Sequence, residues 1–93
     1  MHVGVCTIEL RMREPHSLKA KRQVVKSIIT RVRNQFNVAV AEVDHQDKWQ
    51  RTTLGVAVVS TATDHANGIL SKVVNFIESM YVVDLIDYHI EIW

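Results

Sequence analysis

The feature that most constrains this chain is the order in which two kinds of hydrophobic periodicity follow one another. Four stretches have the β-branched composition or the two-residue alternation of strands, and two have apolar residues at helical spacing. The strand stretches are residues 2–12, 38–45, 51–61 and 81–93, and the helical stretches begin after Ser17 and at Thr63. The order is therefore β-α-β-β-α-β.

This order predicts the α+β class and a ferredoxin-like sandwich. Right-handed crossovers place the four strands in the antiparallel order 4-1-3-2, with both helices on one face of the sheet. Because the chain has 93 residues, one small core is the most that it can build. We therefore expect residues 1–93 to form a single domain.

Each helical stretch has one apolar stripe that is expected to pack on the sheet. Ser17 is a suitable N-cap for a first helix of about 18 residues. The predicted stripe of the first helix is Leu18, Val25, Ile29, Val32 and Phe36. The predicted stripe of the second helix is Ala66, Ile69, Leu70, Val73, Ile77 and Met80.

Charge is strongly segregated along the chain. Residues 11–33 hold eight of the eleven basic residues and one acidic residue, Glu14, which leaves that segment at +7. The other residues hold three basic and nine acidic side chains, which leaves them at −6. The formal net charge of +1 therefore conceals a large internal dipole.

The basic residues crowd the start of the first helix, where cations are unfavourable because a helix N-terminus is itself positive. An anion at that end would meet the cations together with free backbone N–H groups. The topology also places the turn between the second and third strands at this end. The predicted anion- or RNA-binding residues are Ser17, Lys19, Lys21, Arg22, Lys26, Arg33, Lys48, Trp49 and Arg51.

RNA is the natural polyanionic partner for such a cluster. The first and third strands lack the exposed aromatics on which an RRM stacks bases, so binding should be led by the phosphate backbone. Two alternatives stay open. One is that the basic face binds only solvent and is offset by Glu42, Asp44 and Asp47. The other is that Trp49 folds back over its own hairpin instead of contacting RNA.

Strand alternation also predicts an apolar patch on the sheet face away from the helices. Such a patch marks a contact surface, and we expect it to form a homodimer or a higher homo-oligomer. Its predicted residues are Val3, Val5, Val38, Val40, Val59 and Trp93. The alternative is that the faces are assigned wrongly and these valines belong to the core, because short valine-rich runs are ambiguous.

The sequence offers no recognisable reaction chemistry. It contains no Gly-rich phosphate loop, nucleophile elbow or HExxH motif. Cys6 alternates toward the core and is expected to be a small buried hydrophobe. Asp44 and His45 should point to opposite faces, so the hairpin acids are expected to pair with Arg11 or Arg51 instead of binding a metal. We predict a non-enzymatic protein with no catalytic residues, no metal and no cofactor.

The chain also lacks the features of export or membrane insertion. Its first residues have neither the basic nor the apolar region of a signal peptide. No apolar run approaches the ~18–20 residues of a membrane span. A cytoplasmic location with no membrane partner is the expectation.

Two segments resemble the signatures of the YlxP-like family, small bacterial proteins of unknown function. They are HSLKAKRQVVKS, His16 to Ser27, and NVAVAEVDHQDKWQR, Asn37 to Arg51. The motif residues are Ser17, Leu18, Lys19, Lys21, Arg22, Glu42, Asp44, His45, Gln46, Asp47, Trp49 and Arg51. Ala20 departs from the acidic residue often found at its position, which makes the helix start more positive.

The resemblance implies a ferredoxin-like fold and provides no catalytic residues to carry over. It also implies ribosomal RNA or a ribosomal protein as partner, because the family's genes often neighbour translation-initiation and ribosome-maturation genes. The leading hypothesis is therefore an RNA- or ribosome-associated binding protein. The alternative is a sheet-mediated homo-oligomeric interaction module or small-ligand-binding module.

Overall fold

The computed structural model describes residues 1–93 and confirms the predicted order of elements. Two helices and four strands follow one another as β-α-β-β-α-β. Their bounds are β1 His2–Met12, α1 Leu18–Gln35, β2 Ala39–Asp44, β3 Arg51–Ser60, α2 Thr63–Glu78 and β4 Val83–Ile92. Neither helix combines the length and the hydropathy that crossing a membrane requires.

The four strands form one antiparallel sheet in the order β2-β3-β1-β4. This is the predicted order 4-1-3-2 counted from the other edge. Both helices pack on one face, α2 over β1, β3 and β4 and α1 beside β2. The architecture is thus the ferredoxin-like α+β fold, with β2 and β4 as its edge strands and one face of the sheet, hereafter the open face, uncovered.

The core lies between the helices and the covered face of the sheet. From Gly4 onward every second residue of β1 is buried, and Cys6, Ile8 and Leu10 are completely so. The helices supply the opposing layer, which is Val25, Ile28 and Val32 from α1 and Ala66, Leu70, Val73, Val74 and Ile77 from α2. Alternation in β1 was therefore a correct guide to which side chains are buried.

The buried stripe of α1 is rotated relative to its prediction. Ile28 is buried, whereas Leu18, Ile29 and Phe36 are only partly buried. Lys21 is also buried on this side of the helix. The true stripe has the spacing i, i+4, i+7, i+11 that begins at Lys21. It was missed because a lysine is normally counted as a solvent-facing residue.

The predicted face of β2 is wrong. Val40 is only 4% exposed and belongs to the core, and Val38 packs against that core. Ala39 and Ala41, which alternate with them, lie on the open face. Because the side-chain period of a strand is two, an error of one residue in phase moves every side chain to the other face.

A bulge at Val43 explains how the error arose. Glu42 pairs with Leu54, and the next paired residue is Asp44, opposite Thr53. The extra residue shifts the phase of the strand. Asp44 is therefore on the open face, whereas Glu42 is on the helix side. A strict alternation through the whole strand, which ignores the bulge, places Val38 and Val40 on the wrong side.

Candidate nucleic-acid interface

The exposed side of α1 carries a stripe of four basic residues, hereafter the basic stripe. Lys19, Arg22, Lys26 and Arg33 are all exposed and lie within about 60° of one another around the helix. The molecule's ion pairs involve other cations, namely Arg11, Arg13, Lys21 and His89. The positive charge of the basic stripe is therefore not neutralised by any carboxylate of the protein.

The basic stripe borders a groove between α1 and the edge strand β2. The groove has a volume of about 410 Å³. Its polar lining consists of Arg22, Lys26, Arg33, Thr30 and Glu42, and its apolar lining consists of Val25, Ile29, Val40 and Ala41. Arg33 Nη2 donates to the backbone oxygen of Val40 at 2.9 Å, which holds the guanidinium at the strand edge. Three cations thus converge on one groove.

The one carboxylate in that lining is already engaged. Glu42 Oε2 accepts hydrogen bonds from Lys21 Nζ at 2.5 Å and from the Thr52 hydroxyl at 2.6 Å. It therefore neutralises Lys21 rather than a residue of the basic stripe. A phosphate in the groove would meet cations whose charge is free.

Lys21 was wrongly included among the anion-binding residues. It is fully buried, and its ammonium donates to Glu42 and to the backbone oxygen of His45 at 2.8 Å. A buried ammonium is stable only when it is paired and hydrogen-bonded in this way. Lys21 therefore has no surface to offer a ligand.

The same contacts explain why the two signature segments contain so many polar residues. Lys21 lies in the first segment, and both of its acceptors, Glu42 and His45, lie in the second. The buried ammonium therefore fastens the start of α1 to the β2–β3 hairpin. The sequence pattern predicted that these residues form one surface, but their hydrogen bonds are directed inward.

The hairpin turn is itself held by His45. Its φ of 62° is in the left-handed region, which is uncommon for a residue other than glycine. Its backbone N–H donates to Asp44 Oδ1 at 2.7 Å, and its Nδ1 lies 2.9 Å from the Thr53 hydroxyl. The backbone oxygen of His45 is thereby aimed at Lys21.

The N-terminus of α1 retains part of its capacity for an anion. Ser17 is the N-cap, as predicted, because its Oγ accepts from the N–H of Ala20 at 3.1 Å. The N–H groups of Leu18 and Lys19 have no acceptor in the protein. With no acidic residue in the first turn, these donors and the Lys19 ammonium extend the positive region beyond the groove.

The three hairpin residues of the predicted site do not line the groove. Lys48 and Trp49 are exposed in the turn, where Trp49 is 41% exposed. Arg51 begins β3 opposite Arg11, and its odd position in β3 places it on the open face. Including Arg51 with the basic stripe was wrong, because the sheet separates the two.

The expected ion pairs between the hairpin acids and Arg11 or Arg51 are also absent. Arg11 instead lies 3.7 Å from Asp84 of β4, and Arg13 binds the same carboxylate at 2.7 Å. The hydrogen bond from Arg13 lowers the pKa of Asp84 below its usual value. Asp84 therefore pairs with the two cations at the end of β1, offsetting one of their two charges, and leaves those of α1 uncompensated.

Cys6 is a buried hydrophobe, as predicted. Its side chain is 0% exposed, and burial raises the pKa of the thiol from 9.0 to about 11. A thiol with this pKa is protonated near neutral pH, and only the thiolate is a good nucleophile. Cys6 is accordingly part of the core.

The open face has a second surface, an apolar region at the end of the sheet where β1 begins. Of the predicted interface residues, Val59 and Trp93 are 64% and 71% exposed, and Val3 and Val5 are partly exposed. Val43 joins them, since it lies over Gly55. We define the apolar end as Val3, Val5, Ala39, Ala41, Val43, Ala57, Val59 and Trp93.

Comparisons with known proteins match the chain over nearly its whole length. The family model described as "Protein of unknown function (DUF503)" matches residues 3–90. The Uncharacterized protein YlxP of Bacillus subtilis (strain 168) is 43% identical over 77 residues, which are 83% of this chain and 84% of that protein. The predicted resemblance is thereby confirmed.

Among solved structures, the De novo designed protein Ferredog-Diesel aligns with 96% of this chain and 83% of its own. The alignment has a TM-score of 0.47 and 8% sequence identity.

Proposed function

Because the chain belongs to the DUF503 family of proteins of unknown function, we propose its function from its own surfaces. It binds RNA through the basic stripe of α1 and is a non-enzymatic, RNA- or ribosome-associated protein. The predicted cytoplasmic location is part of this proposal, because that is where a bacterial protein meets ribosomal RNA.

The observation that carries the proposal is the convergence of Arg22, Lys26 and Arg33 on one groove without a free carboxylate. Like charges held together repel one another, and a folded protein gains nothing from leaving them unpaired. A polyanion relieves that repulsion and releases its own counterions at the same time. The surface therefore has the charge and the shape of a phosphate-binding site.

The length of the basic stripe favours a polymer over a single phosphate. Lys19 and Arg33 are fourteen residues apart, which is about 21 Å along a helix axis. One strand of double-stranded DNA carries a phosphate about every 3.4 Å of helix axis, and the spacing in RNA is of the same order, so this distance covers several nucleotides of one strand. One small anion would engage only one end of the stripe.

The structure offers little for reading bases. Trp93 is the one Phe, Tyr or Trp residue among the open-face positions of the sheet, and it pairs with Val3, at the opposite end of β1 from Arg11. The basic stripe contains arginines and lysines but no aromatic residue on which a base could stack. We therefore expect contacts to phosphates, with low sequence preference and strong salt dependence.

The test compares two double variants that each remove two positive charges. Arg22→Gln with Lys26→Gln removes the centre of the basic stripe. Arg31→Gln with Lys72→Gln removes two exposed cations from other faces of the helices. Binding to a short RNA duplex and to an oligouridine of equal length is measured over a series of salt concentrations.

The first variant should bind more weakly at low salt, and its plot of log K against log salt should be flatter by about 1.5 units, because each lost phosphate contact removes about 0.7–0.9. The control should keep the slope of the wild type. Equal slopes in the two variants, or no binding by the wild type at low salt, would contradict the proposal. Recovery from lysate with and without ribonuclease then tests whether the ribosome association depends on RNA.

A further inference from the structure

We infer that the apolar end of the open face is covered by a second copy of this chain, related by a two-fold axis that runs parallel to the strands between β3 and β1. The inference concerns the open face of the sheet, which meets the basic stripe only at Arg33 on the β2 edge. It uses the register of the sheet, the exposure of its side chains and the placement of two charges.

The exposure of the apolar end requires a partner of some kind. Val43, Val59 and Trp93 are 54%, 64% and 71% exposed, which makes them three of the nine large hydrophobic residues that the surface exposes. They share one face with the partly exposed Val3 and Val5. A contiguous apolar region of this kind on a monomer marks a contact site.

The register of the sheet makes this region complementary to itself. In one row across the sheet Ala39, Ala57, Val5 and Glu91 stand side by side, and Val59 and Val3 pair in the row below. A two-fold rotation about the proposed axis places Val59 over the partner's Val3 and Ala57 over the partner's Val5. Apolar side chains then meet apolar side chains on both sides of the axis.

The charges at the borders of the apolar end favour the same arrangement. Arg33 borders Ala39 and Ala41 on the β2 edge, and Glu91 closes the row on the β4 edge. Glu91 contacts only the exposed His89, at 3.2 Å. The two-fold axis places β2 of one copy against β4 of the other, so Glu91 of each copy approaches Arg33 of its partner.

The two-fold rotation also limits how far the contact extends along the strands. Toward the other end of the sheet, the rotation would bring Asp44 of one copy toward Asp87 of the other, because these residues stand at the two ends of one row. Two carboxylates repel, and stacked sheets diverge because their strands cross at about 30°. The contact is therefore confined to the apolar end.

The area of the contact predicts a weak dimer. One side chain on a sheet face occupies about 4.8 Å by about 6.7 Å, or about 32 Å², so the eight positions of the apolar end cover about 260 Å² per copy. This is well below the roughly 800 Å² per partner of a standard stable interface. The monomer and the dimer should therefore exchange at micromolar concentrations.

Sedimentation velocity over a concentration series from about 1 to about 500 µM measures the association. The wild type should change from monomer to dimer within that range. Val59→Glu should raise the dissociation constant at least ten-fold, and Trp93→Glu provides a second variant at an exposed position. Tyr81→Glu, which places the same charge at a residue 87% exposed outside the sheet, should behave as the wild type does.

A charge reversal tests the orientation. Arg33→Glu alone and Glu91→Arg alone should each weaken the dimer, and the double variant should recover most of the loss, because it restores an opposite-charge pair across the interface. A wild type that stays monomeric at the highest concentration, or a Val59→Glu variant that dimerises as well as Tyr81→Glu, would overturn the dimer. Absence of recovery in the double variant would overturn the two-fold arrangement.

Discussion

At the scale of the residue, the buried charge of Lys21 explains why polar residues recur in the two signature segments. Its ammonium has three features of a structural ion pair: complete burial, a carboxylate partner and a backbone acceptor. The residues that contact it explain much of the polar density of the β2–β3 hairpin. Removing Lys21 from the anion site leaves the basic stripe, all of whose members are exposed.

Replacing Lys21 with methionine should lower the free energy of unfolding by about 3 kcal/mol, because Glu42 would be left without its cation in a mostly buried position. The double variant Lys21→Met, Glu42→Met should be more stable than Lys21→Met alone, because no unpaired charge then remains. Urea denaturation of the four proteins of this cycle measures the coupling. A loss below about 1 kcal/mol in Lys21→Met would show that the pair does not hold the hairpin.

At the scale of the element, the prediction of which side chains lie on the open face depends on whether each strand alternates without interruption. β1 and β3 alternate without interruption between residues 2 and 11 and between 51 and 60, so their faces follow directly from the sequence. β2 contains a bulge at Val43, and its short apolar run fits either phase. The faces of β1 and β3 were therefore predicted correctly, and that of β2 was not.

Two neighbouring substitutions in β2 test the corrected phase. Val40→Glu should unfold the protein or destabilise it by several kcal/mol, because it places a carboxylate in the core without a partner. Ala41→Glu should change the free energy of unfolding by about 0.5 kcal/mol or less, since Ala41 is exposed. Thermal denaturation followed by circular dichroism compares the two, and similar melting temperatures would contradict the assignment.

The helices show a related limit of sequence analysis. Position and length of α1 were predictable, because Ser17 is a good cap and the apolar spacing is regular. The direction of its buried face was not predictable, because a hydrophobic pattern counts apolar residues only and so leaves the buried Lys21 out. Lys21 is buried because it pairs with Glu42, twenty-one residues away in the sequence. Glu42 faces the helices only because β2 contains the bulge at Val43.

At the scale of the whole molecule, the two proposed surfaces lie on opposite sides of the sheet and meet only at its β2 edge, where Arg33 and Ala41 line both. The basic stripe lies on α1, which packs beside β2 on the covered face, whereas the apolar end lies on the open face. The basic residues that cluster in the sequence are therefore only partly clustered as free charge in the fold, because some of them are paired with carboxylates. Arg11 and Arg13 share the carboxylate of Asp84, and Lys21 is neutralised by Glu42, so most of the unpaired positive charge of residues 11–33 is on α1.

Arg22 and Lys26 take no part in the proposed partner contacts, and Val59 does not line the groove, so variants at these residues should affect RNA binding and self-association independently on a short RNA. Arg22→Gln with Lys26→Gln should weaken RNA binding without changing the dissociation constant of the dimer. Val59→Glu should weaken the dimer at least ten-fold yet bind a short RNA as tightly per chain as Tyr81→Glu, which carries the same added charge. Fluorescence anisotropy with labelled RNA, together with sedimentation of the same samples, measures both quantities. If Val59→Glu bound the short RNA much more weakly than Tyr81→Glu, the open face would have to contribute to the RNA site, and the division of the molecule into two independent surfaces would fail.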